Sequence, residues 1–157
     1  MSAGFEARLA ELGIELPEVA APVAAYVPTV ATGSSVYTSG QLPFVSGALP
    51  ATGKVGDGHG LVPADDAKQY ARLAVLNALA AIRAELGSLD RVTRVVKVVG
   101  FVASDPAFTG QPGVINGASE LLGEVFGDAG RHARSAVGVA VLPLDAPVEV
   151  ELVVEFA

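Results

Sequence analysis

From Val95 onward the segment Val92–Val102, VTRVVKVVGFV, is apolar at both parities. A strand with one wet face alternates between apolar and polar residues, whereas one apolar on both sides needs cover on both. The segment therefore predicts a strand inside a sheet with something packed against each face. Asp105-Pro106 ends it, because proline cannot donate to a ladder. The remainder of the chain must supply the neighbours and the cover.

The neighbours are legible. Val148–Phe156 alternates, with Val148, Val150, Leu152, Val154 and Phe156 on one side and Glu149, Glu151, Val153 and Glu155 on the other. Ala133–Leu142 reads as a further strand, joined to it through Pro143–Pro147. Tyr26–Ala31 and Ser35–Ser39 read as a hairpin turning at Thr32-Gly33-Ser34. The cover comes from a helix over Pro63–Leu86. Pro63 suits its first position, Asp65 and Asp66 favour its positive end, and Gly87 suits its stop. Val75, Leu79, Ile82 and Leu86 form its apolar stripe, and its many alanines permit close approach to a sheet. A second helix is expected over Val114–Phe126; Gly117 and Gly123 weaken it, so packing must hold it.

Residues 4–12 read as a short amphipathic helix, 14–22 as an extended arm, and the glycine-rich 46–60 as a surface loop or loose hairpin. The order is helix, then β-β-α-β-α-β-β. It predicts one α+β domain over 1–157, with residues 1–22 as an N-terminal helix and arm, a mixed sheet, and helices on one face.

Hydrophobic residues make up 51% of the 157 residues and charged ones 17%, which excludes a disordered chain. No apolar run approaches the ~20 residues of a bilayer span, and the start carries Glu6 and Glu11, unlike a secretory signal. Cysteine is absent, which removes disulfides and thiolate chemistry and makes the cytoplasm the default location. A net charge of −7 argues against binding nucleic acid through its phosphates.

Chemistry-bearing patterns are sparse. GKVGDGHG, 53–60, lacks the Lys-Ser or Lys-Thr of a phosphate loop, and neither His59 nor His132 sits in a metal-ligand motif. His132, beside Arg131, reads as a surface residue. Arg134 begins a β-rich apolar run, where a guanidinium needs a partner. Spacing favours a structural ion pair, for example with a glutamate of the last strand, over a ligand carboxylate. Glu149, Glu151 and Glu155 share one strand face and read as solvated. Tyr26 and Ser39 read as half-buried donors to backbone, and Asn116 as a residue bonding locally near its helix start.

Three segments resemble the RidA/YjgF family. VYTSGQLP (36–43) resembles its TSGQ-hydrophobic-Pro strand, and VINGASELLGEVFG (114–127) its Asn-bearing second helix. HARSAVGVAVLPLDAPVEVELVVEF (132–156) resembles its Arg-Ser, Leu-Pro and Glu-bearing tail. The resemblance spans about residues 22–157. It implies a chorismate-mutase-like fold and a homotrimer with clefts between subunits. It also implies hydrolysis of reactive enamines and imines, such as 2-aminoacrylate, to 2-keto acids and ammonia, without metal or organic cofactor. On this resemblance Arg134 holds the substrate carboxylate and Glu149 positions or activates water. Tyr26 and Ser39 line the cleft and Asn116 lies beside it. Many members carry cysteine where this chain has Ala136, and the N-terminal extension and longer middle loops suggest a larger branch of the family.

The roles suit the residue types. A guanidinium can grip a carboxylate through two parallel hydrogen bonds, and a half-buried glutamate can exchange a proton with water. The leading expectation is an enamine/imine deaminase acting on a small carboxylate, with neither nucleic acid nor membrane as partner. The rival is a trimer that binds small carboxylates or keto acids without turnover, in a regulatory or partner-binding role. RNA cleavage would need a basic groove that the sequence does not offer.

Overall fold

The computed structural model describes residues 4–19 and 24–157. Its elements are α1 (Phe5–Glu11), β1 (Thr29–Thr32), β2 (Ser35–Thr38), α2 (Ala64–Leu86), β3 (Val92–Ala103), α3 (Gln111–Phe126), β4 (Ala133–Val139) and β5 (Val148–Phe156). One five-stranded sheet runs β1-β2-β5-β3-β4; only the β3–β4 pair is parallel. The α+β class, the element order and the mixed sheet are those expected.

α2 and α3 lie together on one face of the sheet. Val75, Leu79 and Ile82 of α2 and Ile115, Ala118 and Leu122 of α3 are fully buried with Val36, Val95, Val98, Val150, Leu152 and Val154 of the strands. Ala67, Ala71, Ala74 and Ala78 are also fully buried, as close packing of a helix requires. Gly117 sets how near the two helices come. A Cβ there would overlap the Lys68 backbone carbonyl of α2. The glycine that weakens α3 as an isolated helix is the one that lets it pack.

Several boundaries move. Pro63 caps α2 in extended conformation instead of opening it, because its ψ of 145° is not helical. Gly87 does stop the helix in the left-handed region, with φ 83°. α3 begins at Gln111, with Pro112 in its first turn, three residues ahead of the expected start at Val114. β1 begins only at Thr29, and β4 ends at Val139, where the chain leaves the edge of the sheet. The 46–60 loop is pinned at Val55, which is fully buried. Its N–H donates to the Ala103 carbonyl, and its own carbonyl accepts from Asp105 N–H.

β3 is an inner strand, between β5 and β4, but within one chain only its helix side is covered. On the other side Val99 and Phe101 are half-buried, in rows with Glu151 and Ser135 and with Glu149 and Val137. Tyr37 and Val30, paired across the β1–β2 hairpin, are more than half open or close to it at 50% and 54%. The cover expected on both faces is thus present on one.

α1 is tied to the body. Phe5 meets Phe126 edge-on at 4.7 Å between centroids. Glu6 N–H donates to Asp90 at 2.9 Å, and the Glu6 carboxylate accepts from Leu89 N–H at 2.9 Å. Residues 14–19 follow outside helix and strand; the end of the expected arm, 20–22, lies outside the described residues. No helix among the described residues is long and apolar enough to cross a membrane.

Candidate active site

Arg134 stands on the edge strand β4, in register with Val98 of β3, which pairs in turn with Leu152 of β5. Both are buried under the helices, so Arg134 points to the helix side and runs along α3. Its Nη1 donates to Asn116 Oδ1 at 2.8 Å and to Ser119 Oγ at 3.3 Å. Its Nη2 donates to the Pro112 carbonyl at 3.3 Å. All three acceptors are neutral, and Arg134 forms no salt bridge among the described residues. The structural ion pair favoured by spacing is absent, since strand parity turns the glutamates of β5 away. The guanidinium is oriented by neutral partners alone among the described residues.

Asn116 accordingly serves Arg134 instead of its own helix start. His132 is not a free surface residue either. Its Nε2 lies 2.8 Å from Ser119 Oγ and its Nδ1 2.6 Å from the Gly130 carbonyl.

Glu149 belongs to the opposite face, in register with Phe101. It is half-buried, and its pKa is raised above the ordinary value of 4.5, first by loss of solvent and then by repulsion from Glu151 two residues along the same face. Its carboxylate rests against the backbone of Gly40, where a Cβ would overlap it. Gly40 is held there because Gln41 pairs with Val150 through both backbone bonds, at 2.8 and 3.0 Å. Two buried polar groups fix the segment further. Thr38 Oγ1 accepts from Leu152 N–H at 2.9 Å, and the Asn77 amide of α2 donates to the Leu42 and Phe44 carbonyls at 2.9 and 3.1 Å.

Ser39, next to Gly40, donates from its hydroxyl to the Val27 carbonyl at 2.6 Å and from its N–H to the Pro28 carbonyl at 2.8 Å. It therefore draws the stretch after Tyr26 alongside it. Tyr26 itself is 53% exposed, not half-buried. The candidates fall into separate groups: Asn116 with Arg134, and Ser39 and Glu149 about Gly40, with Tyr26 one residue before the Val27 carbonyl that Ser39 holds. A single chain does not join them.

Ser119, His132, Gly40 and Asn77 were not among the expected site residues. Only Ser119 had a readable signal, standing one helical turn after Asn116 on the same face.

Residues 6–156 match the family described as "YjgF/chorismate mutase-like, putative endoribonuclease". The chain is 47% identical over 152 residues to protein TCP17 of Trypanosoma cruzi, covering 95% of this chain and 92% of that one. A crystal structure of an Agrobacterium tumefaciens protein of unknown function superposes with a TM-score of 0.88 at 47% identity, over 98% of this chain and 92% of the other. The Escherichia coli protein TdcF, solved with bound serine, superposes with a TM-score of 0.65 at 26% identity, over 89% and 94%.

Proposed function

The chain belongs to the YjgF/chorismate mutase-like family, and from that premise we propose that it hydrolyses small enamine and imine acids of the 2-aminoacrylate type to 2-keto acids and ammonia. The observation that carries this reading is the Arg134 guanidinium, held by Asn116, Ser119 and the Pro112 carbonyl without a carboxylate of its own. A 2-imino acid supplies that carboxylate, and a planar fork can take both of its oxygens. TdcF with bound serine gives the same support from a relative, since serine too presents a carboxylate.

Gripping the carboxylate fixes the position of C2 and lowers the entropic barrier to attack. Water adds to the C2=N carbon, giving a carbinolamine. Its nitrogen then leaves as ammonia as the C–O bond becomes a carbonyl. Addition moves one proton from the water to the imine nitrogen, and collapse moves a second from the hydroxyl to the departing nitrogen. Glu149, with its pKa raised by burial and by Glu151, can accept and return the proton in each step. An enamine enters the same sequence after tautomerising to the imine. Tyr26 and Ser39 are assigned to the wall beside Glu149, while Ala136, two residues beyond Arg134 on the helix side of β4, leaves the Arg134 side of the pocket without a thiol.

Arg134 and Glu149 face opposite sides of one sheet, so the cleft is assigned to the junction between copies of a homotrimer in the cytoplasm. The uncovered sheet side, with Tyr37, Val99, Phe101, Val137 and Val153, supplies an apolar surface suited to such an interface. The family description includes endoribonuclease, but the features of this chain favour small anions. Its net charge is −7, and Lys68, Arg72 and Arg83 are paired with Glu120, Glu124 and Glu6.

One observation favours the rival, a keto-acid-binding trimer without turnover: each chain builds the anion-holding half by itself, without Glu149. The two readings are separated by supplying imino acids generated in place by an amino-acid oxidase and measuring release of ammonia and keto acid. Accelerated release supports the deaminase. Keto-acid binding with no acceleration over a broad panel of imino acids supports the binder.

A further inference from the structure

Ser119 and His132 lie behind the Arg134 guanidinium, and their hydrogen bonds run in one direction. Arginine can only donate, so Ser119 Oγ accepts from Arg134 Nη1 at 3.3 Å. A carbonyl can only accept, so His132 Nδ1, 2.6 Å from the Gly130 oxygen, carries a proton. In the neutral ring Nε2 is then an acceptor, and the Ser119 hydroxyl donates to it across 2.8 Å. Arg134, Ser119, His132 and the Gly130 carbonyl form a chain whose every proton has one place to go.

We propose that Ser119 and His132 are positioning residues for Arg134, holding its guanidinium for a substrate carboxylate through this one-way chain to the Gly130 carbonyl. The inference rests on the reading of Arg134 as the carboxylate grip. Without the imidazole acceptor, the Ser119 proton must find another partner, and the hydroxyl no longer offers Arg134 a fixed lone pair.

The test measures pyruvate affinity by calorimetry at pH 8 for wild type, Ser119→Ala, His132→Ala and His132→Gln. Ser119→Ala and His132→Ala should bind about three- to tenfold more weakly than wild type, the loss of a single hydrogen bond in the chain. His132→Gln keeps an acceptor for Ser119 and should match wild type within about twofold. A packing role alone would not produce that combination. Wild-type affinity in both alanine variants, or His132→Gln as weak as His132→Ala, overturns the proposal.

A ligand-free measurement separates its failure from failure of the functional reading. The chain has two histidines, and His59 is exposed and serves as reference. Imidazole nitrogen NMR at pH 8 should show His132 protonated on Nδ1, with the signal altered in Ser119→Ala. A proton on Nε2 overturns the chain of bonds whatever binds. A proton on Nδ1 with no pyruvate binding overturns the carboxylate grip, and the positioning role with it.

Discussion

Arg134 and Glu149 project from opposite faces of the same sheet. Arg134 is in register with Val98 and Leu152, whereas Glu149 is in register with Phe101. The offset between the rows is three residues along the strands, about 10 Å, and β4 and β5 are separated by β3, so two strand spacings of about 4.8 Å intervene. Neither side chain can cross the sheet. A site using both must take them from different copies of the chain.

Arg134→Ala should abolish or severely weaken keto-acid binding while leaving the fold intact, because Arg134 lies on an edge strand and anchors no ion pair. A charge-assisted hydrogen bond contributes about 1.5–3 kcal/mol, so loss of a two-pronged grip should lower affinity roughly ten- to a few-hundred-fold. Arg134→Lys should recover only part of this, since an ammonium keeps the charge but not the fork. Calorimetry with pyruvate and 2-ketobutyrate decides; undiminished binding in the alanine variant would falsify the assignment.

Glu149→Gln should keep most carboxylate affinity and lose imine hydrolysis, because an amide cannot take a proton from water. It should also change stability in a direction fixed by the raised pKa of Glu149. Below the ordinary value of 4.5 the group is protonated in both folded and unfolded chains. As pH rises through the higher folded value, the folded chain must carry a half-buried charge, and stability is lost. Thermal melts should show the variant more stable than wild type near neutral pH, with the gap closing toward pH 4. A gap that widens on acidification would contradict this account of Glu149.

Val153→Asp places a charge in the middle of the uncovered sheet side, in register with Tyr37 and Lys97. Light scattering should find wild type at three times the 15.8 kDa chain mass and the variant shifted toward one. Turnover should fall with assembly. A wild-type monomer at micromolar concentration would remove the trimer.

Gly117→Ala should destabilise by about 1–3 kcal/mol, the usual cost of forcing an atom into a packed interface, here against backbone that cannot swing aside. Gly123→Ala, exposed on the same helix with open space at its Cβ, should stabilise by about 0.5–1 kcal/mol. Urea midpoints of the two variants should move in opposite directions.

Much of the fold was legible because its signals are periodic. The alternation of Val148–Phe156, the stripe Val75-Leu79-Ile82-Leu86 and Gly87 each report their own surroundings. The site was less legible because its bonds are not local. Arg134 reaches α3 across 15 and 18 residues, to Ser119 and Asn116, and Asn77 holds a loop 33 and 35 residues away. Spacing along the chain made a glutamate of the last strand the natural partner for Arg134. Strand parity decides otherwise, and it depends on register, which no single segment reveals. The pinning of Val55 was hidden for the same reason, since its partners Ala103 and Asp105 lie outside the loop.

The division of Arg134 and Glu149 between two faces has a genetic consequence. In a ring where each cleft borrows one residue from either neighbour, two defective alleles can repair each other. Chains carrying Arg134→Ala and chains carrying Glu149→Gln, each inactive alone, would regain turnover when refolded together. In an equal, random mixture about one cleft in four receives both intact side chains. A chain carrying both substitutions would instead act as a poison, silencing the cleft on either side of it.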